Sequence, residues 1–466
     1  MILPNIRQFS TKIFLSEAQM ATAMSVTFLG TSSGGGPSLS RNCSSLVADI
    51  LGDGSLWMVD CAEGTLRQFS RQPFSSDNSH VRASRVNKMF ITHMHADHVM
   101  GIIPMLRNVL LPPPTGEAAL SFLPDPTPKI EIYGPAGIRT FVRSILKMTL
   151  TRTRNKYVVH ELLTNDDAKT PCDPPEIMHV SEAAGRDIIC SKDGLWHNIS
   201  REQSRSAEIA IDAGPIAHRD PCLGFVFREC IFPNRKIVVL GDTSDPSAMI
   251  PLCTNPSPSL LVHEATEAHI PQGIDPKSNR SFETVMEKAT ARGHSIPQMA
   301  GAFARTIGAQ KLVLNHIGGR FPAPGPNDRN PIRANVITEI ERQASEAWGM
   351  GKALAAWDFM RVAVTVPSAN TESIEANTQN TPSPSNREFP TVHNTVSTTT
   401  EPKPKPFRGR GRGRGRGYGQ GRGFHHTQGH ASSASEHGHQ HGQQEGGQHA
   451  DRSERQVHNG PRKRTK

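Results

Sequence analysis

The stretch Lys88–Ile102, KMFITHMHADHVMGI, carries three histidines and an aspartate within six positions. It opens on an apolar run that reads as a strand and closes on VMGIIPMLRNVL, which reads as a helix. Side chains alternate across an extended segment, so His93 and His95 share one face. Asp97 and His98 open the predicted helix and therefore point elsewhere. One short loop thus feeds two adjacent metal sites. Imidazole with carboxylate suits Zn²⁺, with Mn²⁺ or Fe as the other candidates. Two ions held close together stabilise both the attacking and the leaving oxygen of a displacement at phosphorus. The bland alternative is a solvated polar loop, which gives no reason for HxHxDH spacing directly after a strand.

Four further apolar runs also end in ligand-type residues: SLWMVD at Asp60, KIVVLGD at Asp242, SLLVHE at His263 and Glu264, and KLVLNH at His316. Strands that deliver such groups from their C-terminal ends are expected to gather them along one sheet edge. A carboxylate bridge between two ions is best supplied by Asp242. Each ion still needs an imidazole, for which His218 and His316 are candidates. A lone histidine such as His218 is ordinarily not a ligand, so the local sequence does not select it.

Short apolar runs alternate with helix-like stretches over residues 25–366, which predicts a layered α/β or α+β domain. The hydrophobic share of 36% is low for a wholly folded chain, so part of it is expected to be disordered. From Pro367 the sequence loses hydrophobic period. Residues 367–400 read as a disordered linker, and 401–466 as a disordered basic tail rich in Arg, Gly and His. That tail holds 14 of the 52 basic and 5 of the 43 acidic side chains, an excess of nine; residues 1–400 balance, 38 against 38. The asymmetry points to a polyanionic partner for the tail. Arg408, Arg410, Arg412, Arg414 and Arg416 alternate with glycine, flanked by Phe407, Tyr418 and Phe424, a composition that neutralises phosphates and stacks on bases. A solubilising or protein-docking tail is the competing reading. Residues 1–24 read as an N-terminal extension, with a mitochondrial transit peptide and a plain extension both open, and PRKRTK at the C-terminus has the composition of a nuclear import signal, so mitochondrion and nucleus both stand as destinations. Seven scattered cysteines without a CxxC pair are no disulfide framework and indicate a reducing compartment rather than secretion. No run approaches about 18 consecutive apolar residues, so no membrane span is expected.

The HxHxDH segment resembles the signature of the metallo-β-lactamase superfamily. FLGTSSGGGPSLSRNCSS (28–45), VDCAEGTLRQ (59–68), YGPAGI (133–138), VHEAT (262–266), RGHS (292–295) and LNHIGGRF (314–321) occur in that order. Together they resemble the short form of RNase Z, the tRNA 3′-processing endonuclease, over roughly residues 25–366. The resemblance implies an αββα sandwich with two zinc ions. His93, His95 and His218 would hold one, Asp97, His98 and His316 the other, and Asp242 would bridge. Asp97 would also accept the proton of the attacking water. Asp60 would orient the cluster, and Glu264 with His294 would protonate the leaving 3′-oxygen. Precursor tRNA is the implied partner, and members of the family are often homodimers. SIPQ (295–298) reads as a capping box opening a helix after His294, where the dipole favours phosphate.

Two departures stand out. The family carries a long RNA-gripping arm between its third metal-binding segment and the bridging aspartate, whereas here Asp242 follows His218 by only 24 positions. The stretch from Met148 to Ala213 is unusually long instead, with TRTRNK (151–156) and a polar continuation that read as extended loops, as does the Pro-rich LLPPPTGEAALSFLPDPTPKI. The alternatives to an RNA-cleaving enzyme are a cyclic-nucleotide phosphodiesterase of the same fold and an RNA-binding protein with an inactive hydrolase domain.

Overall fold

The computed structural model describes residues 24–73, 80–115, 123–325 and 330–365. The linker, the basic tail with its five alternating arginines and all but Met24 of the N-terminal extension lie outside the described residues. Part of the Pro-rich loop does too.

Among the described residues, one sheet is built from β1 (Met24–Gly30), β2 (Ser45–Asp49), β3 (Leu56–Val59), β4 (Val86–Phe90), β5 (Asp125–Pro135), β6 (Asn155–Leu163), β7 (Glu182–Ala183) and β8 (Asp187–Ile189). The second contains β9 (Trp196–Gln203), β10 (Glu208–Ile216), β11 (Cys222–Glu229), β12 (Lys236–Leu240), β13 (Leu260–Glu264), β14 (Leu312–Asn315) and β15 (Leu354–Ala355), and β16 (Arg361–Val364) returns to the first beside β1. The helices in chain order are α1 (Thr65–Arg71), α2 (Ala96–Val99), α3 (Ile102–Leu110), α4 (Ile138–Met148), α5 (Ile250–Cys253), α6 (Phe282–Ala291), α7 (Pro297–Thr306) and α8 (Pro331–Trp348). The strand orders are 16-1-2-3-4-5-6-7, with β8 on β6, and 15-14-13-12-11-10-9. Each sheet is antiparallel in one half. In the other, β3 to β6 and β12 to β15 run parallel, so their C-terminal ends face one way within each sheet.

Strand alternation separates three cores. Phe225 and Phe227 of β11 face the space between the sheets, with Trp57, Phe90 and Tyr133 opposite, while Val226 faces the helices. On the outer side of the first sheet, α3 buries Ile102, Met105, Leu106, Val109 and Leu110, the i, i+3, i+4 stripe of an amphipathic helix. Phe303 of α7 and Ile340 of α8 cover the other sheet. The layering is therefore αββα, a metallo-β-lactamase-type sandwich.

Three local expectations need correction. The long stretch from Met148 to Ala213 is mostly not loop: it forms β6 to β10 and widens both sheets. Its polar residues are ordered by buried arginines of α4. Arg143 grips Glu182 with two nitrogens at 2.7 and 2.8 Å, and Arg139, 1% exposed, reaches Asp187 at 2.8 Å and Glu161 at 3.4 Å. Buried networks of this kind specify one arrangement. Second, the helix after the histidines is broken in two at Gly101. A Cβ there would sit 2.0 Å from the Ala62 carbonyl oxygen, because the Gly101 N–H donates to Cys61 O across a tight approach. Third, Ser295 is no cap. Helix α7 starts after Ile296, and the buried Ser295 hydroxyl donates to Thr243 O at 2.6 Å, tying the His294 segment to the loop after β12. No helix among the described residues is long and apolar enough to cross a membrane.

Candidate metal centre and active site

The ligand-type strand ends do converge, but from two sheets rather than along one edge. Asp60 and His93 follow β3 and β4 of one sheet; Asp242, Glu264 and His316 come from β12, β13 and β14 of the other. His263 takes the opposite face of β13, buried near Phe303, and stays out of the cluster. Asp60 and His316 both have left-handed backbone, φ 56° and 51°. Non-glycine residues adopt that conformation at a cost of about 1–3 kcal/mol, and it concentrates where a side chain must be aimed.

His93, His95, His218 and Asp242 each place one ligand atom within 4.8 Å of the others, and Asp97, His98 and His316 do the same. Asp242 carries atoms toward both groups: Oδ2 lies 3.7 Å from His93 Nε2, and Oδ1 lies 3.6 Å from His98 Nε2. The structure thus brings together all seven residues expected from the sequence.

The hydrogen bonds set which nitrogen of each imidazole is free. His98 Nδ1 donates to Asp60 Oδ2 at 2.7 Å. The Thr92 hydroxyl donates to the same carboxylate at 2.9 Å and accepts from His93 Nδ1 at 3.0 Å. His218 Nδ1 donates to Gly293 O at 2.7 Å, and His316 Nδ1 to Thr266 Oγ1 at 2.8 Å. His95 is turned over: Nε2 donates to Asp220 Oδ2 at 2.7 Å, leaving Nδ1 inward. Each bare nitrogen therefore faces the cluster. His218 Nε2 is buried without a hydrogen-bond partner. His93 Nε2 and His95 Nδ1 lie 2.9 Å apart, and His98 Nε2 and His316 Nε2 3.3 Å apart. Nitrogens at these separations need a positive charge between them, which a proton or a metal ion supplies. Five imidazoles with oriented N–H groups and two carboxylates fit zinc.

The charges agree. Asp97 and Asp242 stay ionised: burial opposes this, but the His316 hydrogen bond on Asp97 and the His316 and His98 charges at Asp242 hold both carboxylates below the usual range. Burial and the charge of His98 push His93 far down. Burial also disfavours the charged form of His98, yet Asp242 and Asp60 raise it well above an ordinary imidazole. Burial depresses His218 against the pull of the Gly293 carbonyl.

Glu264 is buried and fully engaged. Oε1 accepts from Thr243 N at 2.9 Å and from His294 Nδ1 at 2.9 Å, and Oε2 accepts from Thr266 N at 3.0 Å. His294 Nδ1 is also 3.8 Å from Asp242 Oδ2. Burial lowers the His294 proton affinity, but Glu264 and Asp242 outweigh it and raise it. The cleft over the cluster measures about 430 Å³ and is rimmed by Arg219, Arg292 and Arg320.

Asp220, Thr92, Thr266 and the Gly293 carbonyl were not foreseen. Asp220 stands two residues after His218 in HRD, where it reads as an ordinary turn residue; nothing local says that it meets His95, 125 positions away. Gly293 has φ +76°, and a Cβ there would lie 2.5 Å from His218 Nδ1.

Two facing sheets whose strand ends deliver such a cluster define a metal-binding hydrolase of metallo-β-lactamase fold. No protein-family model matches the chain. Zinc phosphodiesterase ELAC protein 1 of Bos taurus is 29% identical over 400 residues, covering 74% of this chain and 99% of its own. Ribonuclease BN of Cronobacter sakazakii is 30% identical over 319 residues, covering 64% and 91%, and ribonuclease Z of Streptococcus sanguinis 29% identical over 339, covering 68% and 96%. The chain belongs to the ribonuclease Z family of metal-dependent phosphodiesterases.

Proposed function

We propose that this protein is a zinc-dependent endoribonuclease that removes the 3′ trailer from precursor tRNA and leaves a 3′-hydroxyl. The observation that carries the reading is the Glu264–His294 pair beside Asp242, in a cleft whose rim presents three arginines. His93, His95 and His218 would hold one zinc and Asp97, His98 and His316 a second, and Asp242 offers an oxygen toward each group. Bound zinc supplies Lewis acidity toward phosphodiester oxygens and a lowered pKa for water. Asp97 takes a proton from the attacking water as the new P–O bond forms. The P–O3′ bond breaks, and the proton held between Glu264 and His294 passes to the leaving 3′-oxygen, while the phosphate leaves on the trailer. Asp60 orients His98 directly and His93 through Thr92. Arg219, Arg292 and Arg320 neutralise backbone phosphates.

The connection from His218 to Asp242 is a plain β11–β12 hairpin. The electrostatic grip on tRNA then falls to the basic tail, where Arg408, Arg410, Arg412, Arg414 and Arg416 bind RNA with little sequence preference. The same short hairpin favours the second reading, a phosphodiesterase for cyclic nucleotides.

The test is processing of a labelled precursor tRNA by wild type, Asp97→Ala and a chain lacking 401–466, beside a cyclic-nucleotide assay. Wild type is expected to cut after the discriminator nucleotide, Asp97→Ala to lose cleavage, and the deletion to raise KM and flatten the salt dependence. Cyclic-nucleotide turnover without tRNA cleavage would replace this reading by the second.

A further inference from the structure

A larger cleft, about 600 Å³, lies next to the one over the metal cluster and has no part in the chemistry above. Two segments run from one cleft to the other. Ser33 and Gly34 line the metal cleft, where the Gly34 N–H donates to Asp97 Oδ2 at 2.6 Å, and Ser38 to Asn42 line the larger one. Likewise His316 to Arg320 line the first, and Ala323 and Pro324 the second. At about 3.3–3.6 Å per residue, three or four residues span at most ~14 Å.

The walls of this cleft are cationic and aromatic. Arg67 and Arg71 stand one turn apart on α1, exposed, and make no hydrogen bond or ion pair with the described residues; Arg333 of α8 is exposed on the same cleft. Trp357 is 50% exposed, whereas Trp57, Trp196 and Trp348 are 1%, 4% and 2% exposed. Leaving an indole in water is unfavourable, and here the backbone is strained to do it. Phe359 has φ 72°, a conformation that bulky residues rarely adopt. The turn is locked on both sides. The Asp358 carboxylate accepts from Thr31 Oγ1, Asn42 N and Gln68 Nε2 at 2.7–2.8 Å. Arg41, 2% exposed, donates to Ala356 O at 2.6 Å and to Thr31 Oγ1 at 2.8 Å. Among the described lining residues Arg41 and Asp358 offset each other, so Arg67 and Arg71 set the sign of the cleft. An indole held in the open on a cleft that also presents arginines is a combination that stacks an unpaired base and neutralises its phosphates.

We propose that this cleft is a second nucleotide subsite, which takes unpaired RNA 3′ of the scissile phosphate, with a base on Trp357 and phosphates on Arg67 and Arg71. The assignment to the trailer rests on the endoribonuclease reading. In-line displacement puts the entering water on the Asp97 side and the leaving 3′-oxygen on the His294 side. The phosphate stays with the trailer, whose O5′ is equatorial to that axis, so the trailer leaves sideways from it, and the segments that begin at Gly34 and end at Arg320 lead from there to the larger cleft. At ~3.4 Å per stacked nucleotide, a span of at most ~14 Å is covered by about four nucleotides, so a trailer of about eight reaches into the cleft.

Two measurements on the zinc-loaded full chain test this. Because Trp357 is the exposed indole of the four, a single-stranded RNA of about six nucleotides should quench the intrinsic fluorescence. Trp357→Leu should abolish the quench, Trp357→Phe should retain RNA affinity, and Arg67→Ala/Arg71→Ala should weaken binding about tenfold. Metal content and thermal unfolding show that the variants fold. Second, wild type should have a lower KM for a precursor with a trailer of about eight nucleotides than for one of about two, and Trp357→Leu should erase that difference. Absence of quenching, or equal KM for the two trailers in wild type, overturns the subsite. The fluorescence titration needs no turnover, so quenching without tRNA cleavage would sink the trailer assignment together with the endoribonuclease reading, and cleavage without quenching would sink the subsite alone.

Discussion

Asp60→Asn is nearly isosteric, yet it should empty the metal centre. The Asp60 carboxylate is 4% exposed and accepts three hydrogen bonds: from Thr92 N at 2.8 Å, Thr92 Oγ1 at 2.9 Å and His98 Nδ1 at 2.7 Å. An asparagine has one oxygen and so can face only one side with an acceptor. If the oxygen faces Thr92, the amide N–H₂ meets His98 Nδ1 and drives its proton onto Nε2, the nitrogen that faces Asp242. If it faces His98, it keeps the Thr92 hydroxyl as well, but the amide N–H₂ is set against the buried Thr92 N–H, which loses its acceptor. The first orientation gives His98 the wrong tautomer, and the second orphans a backbone N–H and pushes apart the Thr92 segment that orders His93. Loss of a charged acceptor costs about 1.5–3 kcal/mol. Outer partners of metal ligands typically contribute 10–100-fold in affinity, about 1.4–2.8 kcal/mol. Because Asp60 acts on one ligand of each group, the expected loss is near the upper end, roughly 100-fold for zinc. A competition titration against a chromophoric chelator measures it, with circular dichroism to confirm folding. Wild-type zinc affinity in a folded Asp60→Asn protein would refute the assignment of Asp60 as the residue that sets both tautomers.

Other consequences are open to direct measurement. Gly293→Ala places a methyl 2.5 Å from His218 Nδ1 at φ +76°, so His218 must move; bound zinc per chain, by elemental analysis, should fall, and unchanged stoichiometry would contradict it. Phe90 is fully buried between the sheets, with Tyr133, Phe225 and Phe227 rings within 5.1–5.3 Å, so Phe90→Ala should lose about 3–5 kcal/mol in urea unfolding. Burial, then the charge of Arg186, lowers His160 from 6.5 to about 4. Between these values the unfolded chain binds a proton that the folded chain refuses. This contribution, about 3 kcal/mol, is therefore complete above pH 6.5 and is lost as pH falls toward 4. His160→Gln should accordingly lose less stability than wild type between pH 7 and pH 4.5, and equal slopes would show that His160 is not the group responsible.

Much of the site was legible because its chemistry is local in the chain. His93, His95, Asp97 and His98 sit in six consecutive positions after a strand, and the runs ending at Asp60, Asp242, Glu264 and His316 announce themselves by apolar residues followed by a ligand-type group. His218 was not legible in that way, since nothing around it distinguishes a ligand from a satisfied histidine; the resemblance selected it, and the unpartnered Nε2 explains why. The Met148–Ala213 stretch was misread because its long buried strands β6 and β10 are separated by the short polar β7 and β8, whose order comes from Arg139 and Arg143 on the preceding helix through contacts about 40 to 50 residues apart. Ser295 resembled a cap because capping chemistry is local, whereas its actual acceptor, Thr243 O, is 52 residues away.

The sequence by itself determined which groups this protein owns: a ligand set suited to zinc, apolar periodicities sufficient for a layered α/β domain, and a basic tail set apart from a neutral body, with the resemblance adding Glu264 and His294 as the proposed acid–base pair. Tertiary structure alone decided how those groups act. It brought the ends of two sheets together, chose the inward nitrogen of every imidazole, gave His95 to Asp220, and held Trp357 in the open beside Arg67 and Arg71. The reason is physical. Periodicity and propensity report on neighbours a few residues apart, while a tautomer or a cleft is set by atoms hundreds of residues apart whose contact depends on sheet order and packing.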